Sequence, residues 1–362
     1  MQALVLAGGE GTRLRPLTTT VPKPVLPLAN RPFISYMLDW LVAHGFEDIV
    51  MSCGFLADGV RTVLGDGART GLRIRYVEER EPLGTAGAVK FAEDLLDERF
   101  AVLNGDVLTD FDLSAVRASH ERNGARATLT LIEVEDPSAY GLVLTEPDGR
   151  VTDFLEKPEA PIPGRRSLIN AGAYVLDRDV LELVPEGRAV SFEHEVFPAL
   201  VGQGLFGCPV DGYWLDIGTP DRFLEATRDI LEGRVETGVK VGHDTPAVGA
   251  GSTVASGAEL RPPVLVGDAC AIAATAEVGP LAVLGNGCAV DARARVENAV
   301  LHEGARVEAG AIVRDSIVGA GASIGTGSCI EQGTVVGEDA EVRPGAVLAN
   351  QRVEPPGGPG GL

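Results

Sequence analysis

Beyond about residue 240, aliphatic side chains return every six positions, and this period constrains the fold more than any other feature of the chain. Val248, Val254, Leu260, Val266, Ile272, Val278, Leu284, Val290 and Val296 hold one register without a break. The phase slips by one residue, continues through Leu301, Val307 and Val313, slips again, and runs on through Val318, Ile324, Ile330, Val336, Val342 and Leu348. Chance does not hold such a register over nine consecutive positions. Gly and Ala fill many intervening places, as in Val318-Gly319, Ile324-Gly325 and Val336-Gly337. A repeat of this kind folds as a parallel β-helix, in which each aliphatic points into a narrow core and small residues turn the corners.

The first 232 residues follow a different rule. Ala3–Leu6, Ile49–Met51, Ile74–Val77 and Ala101–Leu103 read as buried strands, and Phe33–His44, Leu113–Arg122 and Asp221–Glu232 as helices closed by Gly45, Asn123-Gly124 and Gly233. Strand–helix alternation predicts a mainly parallel sheet covered on both faces. Asp148-Gly149 between Leu142–Leu144 and Val151–Phe154 adds an antiparallel hairpin. The expected fold is therefore α/β: a Rossmann-like, mixed but mainly parallel catalytic sheet over 1–232, a linker over 233–246, and a β-helix over 247–353. The repeat resembles the left-handed hexapeptide type. The Pro/Gly-rich tail, 354–362, is expected to be disordered.

A net charge of −21 with no local basic stripe excludes a nucleic-acid partner. The five cysteines are scattered without a CxxC pair, and the five histidines stand alone, so neither a disulfide framework nor a zinc site is expected. No apolar run approaches the roughly 18 residues needed to span a bilayer, and the N-terminus lacks a signal-peptide pattern. These features predict a soluble, cytoplasmic protein without a membrane partner.

The first strand runs into Ala7-Gly8-Gly9-Glu10-Gly11-Thr12-Arg13-Leu14-Arg15-Pro16-Leu17. A glycine-rich turn after a strand exposes backbone N–H groups that cradle phosphate oxygens. The dinucleotide fingerprint fails because Leu14 stands at its third glycine, and no Gly-Lys-Ser/Thr completes a Walker motif. Leu6 to Thr18 followed by Pro22-Lys23-Pro24 resembles the signature of nucleotide-sugar pyrophosphorylases. Four further segments match in order: Pro82–Gly87, Asn104-Gly105-Asp106, Phe154–Pro158 with Asn170-Ala171-Gly172, and Trp214-Leu-Asp-Ile-Gly218. Within that family, Pro82–Gly87, Asn104–Asp106 and Glu195-Val-Phe-Pro198 are most similar to the mannose-1-phosphate guanylyltransferase branch.

The resemblance implies attack by a sugar-1-phosphate oxygen on the α-phosphorus of a nucleoside triphosphate, GTP with mannose 1-phosphate as first choice, expelling pyrophosphate. Asp106 and Asp216 resemble the family's Mg²⁺ pair, and hard oxygen donors suit that ion. Arg13 is expected on the β/γ-phosphates and Lys23 on the α-phosphate. Leu6, Ala7, Gly8, Gly9, Gly11, Thr12, Pro82, Gly84 and Thr85 complete the expected nucleotide site, with Gly84 beneath the base. Asn104, Gly141, Glu156, Lys157 and Asn170 are expected around the sugar phosphate. Glu79 offers a carboxylate that suits the adjacent N1–H and amino donors of guanine; a second reading leaves it solvated within the Glu78–Glu81 charge run. His194 is read as structural, since the displacement needs no histidine base.

Three alternatives stay open: a thymidylyl-, uridylyl- or adenylyltransferase of the same family, a non-catalytic nucleotide-sugar-binding regulatory subunit, and an acyltransferase built on the β-helix. The last needs a catalytic histidine on the coils, which carry only His302, without an obvious partner. A β-helix with flat faces invites self-association, so a homo-oligomer is the expected assembly.

Overall fold

The computed structural model describes residues 1–159 and 166–357. The expected disordered tail lies, from 358 onward, outside the described residues. The chain divides into two compact units, one formed by Met1–Gly9 with Met37–Trp214, the other by Glu10–Tyr36 with Leu215–Leu362.

The first unit is built on a sheet of β1 (Gln2–Ala7), β2 (Asp48–Cys53), β3 (Arg73–Glu78), β4 (Arg99–Asn104), β5 (Ala127–Glu133), β6 (Gly141–Thr145), β7 (Val151–Glu156), β8 (Leu168–Asp177) and β9 (Leu205–Pro209). The order along its main path is β7-β6-β8-β4-β1-β2-β3, and β5 joins β8 to β9. β3, β2, β1 and β4 run parallel, which is what continuous apolar runs such as Ala3-Leu4-Val5 predict for strands covered on both faces. β8 returns antiparallel against β4, and β6 and β7 form the expected hairpin. Leu4, Val102, Leu129, Tyr174, Phe192 and Phe197 belong to one apolar cluster. The helix expected over Leu113–Arg122 runs Leu113–Asn123; Asp112 caps its first turn and Gly124, in the left-handed region, ends it.

In the second unit the six-residue period becomes three parallel sheets, with short strands stacked coil upon coil. This is the expected left-handed parallel β-helix. Val254 pairs with Ile272 and Val278 with Val296, one coil being eighteen residues. Leu284 pairs with Leu301 and Leu301 with Val318, coils of seventeen. Both slips fall at the same corner, where Asn298 and Asp315 take positive φ and the Asn298 amide donates to the Asp315 carboxylate. Dropping a residue at a corner leaves the inward register of all three faces intact.

Val248 and Val254 depart from the reading of every repeat aliphatic as a core residue: they are 44% and 37% exposed. They stand on the first coil, which has no preceding coil to cover it. A helix over Pro220–Leu231, capped by the Thr219 side chain, belongs to the same unit. Among the described residues no helix is long and apolar enough to cross a membrane.

Candidate active site

Parallel α/β sheets collect ligands beyond the carboxyl ends of their strands, and three strands deliver candidate site residues there in the first unit. β1 ends in Leu6 and Ala7 and runs into Gly8-Gly9; β4 ends in Asn104 and runs into Gly105-Asp106. The Gly105 N–H donates to the Leu6 carbonyl at 2.8 Å, so close that a Cβ on Gly105 would lie 2.7 Å from that oxygen. A Cβ on Gly54, after β2, would lie 2.8 Å from the Gly8 carbonyl. Only bare backbone fits these approaches.

Glu79, just past β3, is withdrawn from the solvated charge run. One carboxylate oxygen accepts from the Ser52 hydroxyl at 2.8 Å and the other from the Leu83 N–H at 3.2 Å. The first oxygen also faces Gly8, where an added Cβ would stand 3.3 Å away. A carboxylate has about four lone-pair directions, so acceptor capacity remains. Ser52 is fully buried, and sequence reading passed over it; a serine inside the apolar strand Ile49–Cys53 is the signal it left.

Pro82 and Gly84 are exposed and Thr85 is half-buried at the start of the helix Gly84–Phe91. Gly84 has φ +71° and would set a Cβ 2.6 Å from the Val190 carbonyl. Backbone conformation and the neighbouring chain therefore require glycine there independently of any base above it. The Thr85 hydroxyl donates to Glu193 at 2.8 Å, and Glu193 accepts from the Tyr174 phenol at 3.1 Å. Tyr174 in turn accepts from the Asn170 side chain at 2.9 Å. This network joins the expected nucleotide side to the expected sugar side. Burial first, then the Glu193 charge, holds the Tyr174 phenol well above its ordinary pKa, so it acts as a neutral donor. Tyr174 and Glu193 were not singled out from the sequence. His194 is exposed and neighbours this network without a side-chain part in it.

The sugar-side residues are gathered by an irregularity in β8. Its register against β5 shifts between Asn170 and Tyr174, so Ala171, Gly172 and Ala173 bulge out of the ladder. Gly172, φ +72°, presses on Asn104: a Cβ there would be 2.6 Å from the Asn104 amide nitrogen. Asn104 Oδ1 is buried with no hydrogen-bond partner among the described residues, an acceptor held ready at the strand end. The Trp214 indole donates to the Ala171 carbonyl at 2.8 Å and meets Tyr140 edge-on at 5.2 Å. Gly141 lies directly opposite Glu156 in the β6–β7 ladder, and a Cβ on it would be 2.9 Å from the Glu156 carboxylate. Lys157 follows at φ +49°, its ammonium 3.7 Å from Glu156.

The remaining basic residues lie in the second unit. Gly11, φ +62°, opens a tight turn in which the Thr18 hydroxyl donates to the Gly11 carbonyl at 2.8 Å. A Cβ on Gly11 would stand 3.2 Å from Lys23 Cβ. Lys23 is only 8% exposed, although it stands between two prolines. Thr12 and Arg13 are exposed, and the Arg13 guanidinium lies flat on Gly218. Asp216, half-buried, is two residues before that glycine; Asp106 is half-buried in the first unit. Among the described residues no three His, Cys, Asp or Glu side chains cluster as a ready-made metal cage.

Comparison with known proteins agrees with this composition of parts. A family model described as Nucleotidyl transferase matches residues 2–233, and one described as GMPPB C-terminal domain matches 260–356. A mannose-1-phosphate guanylyltransferase of Mycobacterium tuberculosis is 40% identical over 279 residues, 72% of this chain and 77% of that protein. A mannose-1-phosphate guanyltransferase of Emericella nidulans is 41% identical over 234 residues, 63% of each chain, so this chain covers somewhat under two thirds of that relative. Among solved structures, HddC from Yersinia pseudotuberculosis complexed with GMP-PN superposes with a TM-score of 0.53 at 27% identity, over 62% of this chain and 97% of that one. With a family model spanning well over half of the sequence, this chain belongs to the nucleotidyl transferase family and is an enzyme of that class.

Proposed function

We propose that the chain joins GMP, drawn from GTP, to mannose 1-phosphate, forming GDP-mannose and pyrophosphate. The observation that carries the choice of base is Glu79, fixed by Ser52 and Leu83 beside Gly8 with acceptor capacity to spare. Guanine presents two adjacent donors to such a carboxylate; thymine and uracil do not. The shared name of the mycobacterial and fungal relatives and the GMP-PN complex of HddC support the same base and sugar.

In this reading the N–H groups of the Gly8–Gly11 turn and the Arg13 guanidinium hold the β/γ-phosphates, the future leaving group. Lys23, buried and short of freedom between Pro22 and Pro24, meets the α-phosphate as charge develops there. Lys157 grips the sugar phosphate; Glu156, lying across Gly141, accepts from sugar hydroxyls, and Asn104 Oδ1 with the Asn170 bulge closes the pocket. Direct in-line displacement needs no nucleophile from the protein. Asp106 and Asp216 would hold Mg²⁺: two half-buried carboxylates are hard donors, and this ion keeps several waters rather than demanding an all-protein cage. When bound, the cation neutralises phosphate charge. The enzyme is assigned to the cytoplasm, working as a homo-oligomer with residues 1–232 as its catalytic part.

Pyrophosphate release with GTP, dTTP, UTP and ATP, each paired with mannose 1-phosphate or glucose 1-phosphate, tests the proposal. Turnover with dTTP and glucose 1-phosphate but none with GTP and mannose 1-phosphate overturns it. Binding of nucleotide-sugar without any turnover makes the chain a regulatory subunit instead.

A further inference from the structure

One face of the β-helix is apolar on its outward side through its middle coils. Between Ala247 and Arg352 on its end strands, its outward positions are Leu265, Val283, Val300, Ile317 and Val335, neighbours in chain of the inward Val266, Leu284, Leu301, Val318 and Val336. Val283, Val300, Ile317 and Val335 are at most 1% exposed, although they point away from the helix core. The corresponding outward row on the second face reads Thr253, Ala271, Ala289, Arg306, Ser323 and Glu341, as a solvated face should. An outward apolar row is a seat.

Side-chain contacts tie the stretch Glu10–Tyr36 to this face, within the second unit. The Asn30 amide donates to the Leu284 carbonyl at 2.7 Å, and the Thr20 hydroxyl donates to the Glu338 carboxylate. His302, 5% exposed, lies against the Pro27 backbone, whose carbonyl favours its protonated form, while Nε2 finds no partner among the described residues. Its ring meets Phe223 edge-on at 6.2 Å.

Both neighbours of His302 lead to a basic residue of the proposed site. From Pro27 the hairpin Pro27–Leu28/Arg31–Pro32 connects, through the Phe33 N–H to the Leu26 carbonyl at 3.0 Å and the Leu26 N–H to the Lys23 carbonyl at 3.2 Å, to Lys23. From Phe223 the helix Pro220–Leu231 runs back to Gly218, on which the Arg13 guanidinium rests. We propose that the β-helix positions Lys23 and Arg13 for nucleotidyl transfer through His302 and Asn30. The β-helix then takes part in catalysis at one remove, beyond any role in assembly. This inference rests on the reading of Arg13 and Lys23 as triphosphate-binding residues.

His302→Phe keeps an aromatic ring beside Phe223 and deletes the imidazole beside Pro27. Asn30→Gly keeps the positive φ of that turn residue, +61° in the structure, and deletes the amide; the Leu284 carbonyl retains the Gly267 N–H at 2.8 Å, so no buried acceptor is orphaned. Wild-type turnover is measured first, because its absence overturns the functional reading alone. In protein shown folded by circular dichroism, each variant is expected to lose about tenfold in kcat/KM for the triphosphate, a displacement of a fraction of an ångström. The KM for sugar 1-phosphate is expected to hold, His302→Asn to recover part of the loss, and His302→Phe to add nothing in a Lys23→Ala background. An active wild type whose Asn30→Gly and folded His302→Phe variants keep the wild-type kcat/KM overturns the positioning role. If His302→Phe does not fold, Asn30→Gly decides alone; losses additive with Lys23→Ala also overturn it.

Discussion

Gly218→Ala separates catalysis from folding. Gly218 is buried and outside the positive-φ positions of the chain, so alanine can take its backbone without strain. The new methyl would lie 2.7 Å from Arg13 Nη2, 2.9 Å from Cζ and 3.0 Å from Nη1. Ordinary contact begins at about 3.5 Å, so the guanidinium must retreat by roughly 0.8 Å or swing away. It is the far end of a flexible, exposed side chain, and its movement costs little folding energy. Removing a glycine also narrows the unfolded ensemble, worth about 0.4–1 kcal/mol in favour of the native state. The thermal midpoint should therefore stay within a few degrees of wild type. Misplacement of a phosphate-binding group on this scale costs on the order of 10- to 100-fold in rate. Thermal unfolding beside steady-state pyrophosphate release, with each substrate varied in turn, reads both quantities. A variant with normal melting and kcat/KM within twofold of wild type would refute the reasoning, as would an equal further loss when Arg13→Ala is added, since the two changes act on one group.

Acid stability reports on His302. Burial lowers its pKa from 6.5 to about 4, so the unfolded chain binds the proton more tightly between those values. Its contribution is complete above pH ~6.5 and is lost as pH falls toward 4, amounting to roughly 3 kcal/mol at most. Urea unfolding of wild type and His302→Phe across this range should converge as pH falls; parallel curves contradict the assignment. Glu79→Gln should weaken GTP about tenfold in kcat/KM and change dTTP little, and an equal effect on both triphosphates removes Glu79 from base recognition. Asp106→Asn should leave the protein folded and abolish most turnover, with the Mg²⁺ dependence of residual activity shifted to higher concentration; near-normal rates count against a metal role.

The four parallel strands of the sheet were legible because buried runs such as Ala3-Leu4-Val5 and Ile49-Val50-Met51 leave no other role for the chain, and the coils because their period is their core. Local rules also gave the Asp148-Gly149 hairpin and the Gly124 helix end. Much of the candidate site was not legible, for a physical reason: its supports are long-range. Glu79 looks like one acid among several until Ser52, 27 residues away, claims it. Tyr174 reads as an ordinary strand residue, because nothing local announces the bulge that turns Asn170 toward it. His302 looked partnerless because Pro27 and Phe223 are distant in sequence. Six-residue periodicity names the inward row of a face; whether the outward row is wet or covered depends on what the rest of the chain lays upon it.

The seat on the β-helix has a dimension as well as a chemistry. Its ties begin at Leu284 on the third strand of that face, pass His302 after the fourth, and reach Glu338 after the sixth. With successive strands about 4.8 Å apart, this footprint is roughly 14 Å long. The solenoid thus works as a ruler with a minimum length: related chains can gain turns beyond the sixth freely, whereas a turn deleted between the third and sixth would bring the anchor points out of step with the loop they hold.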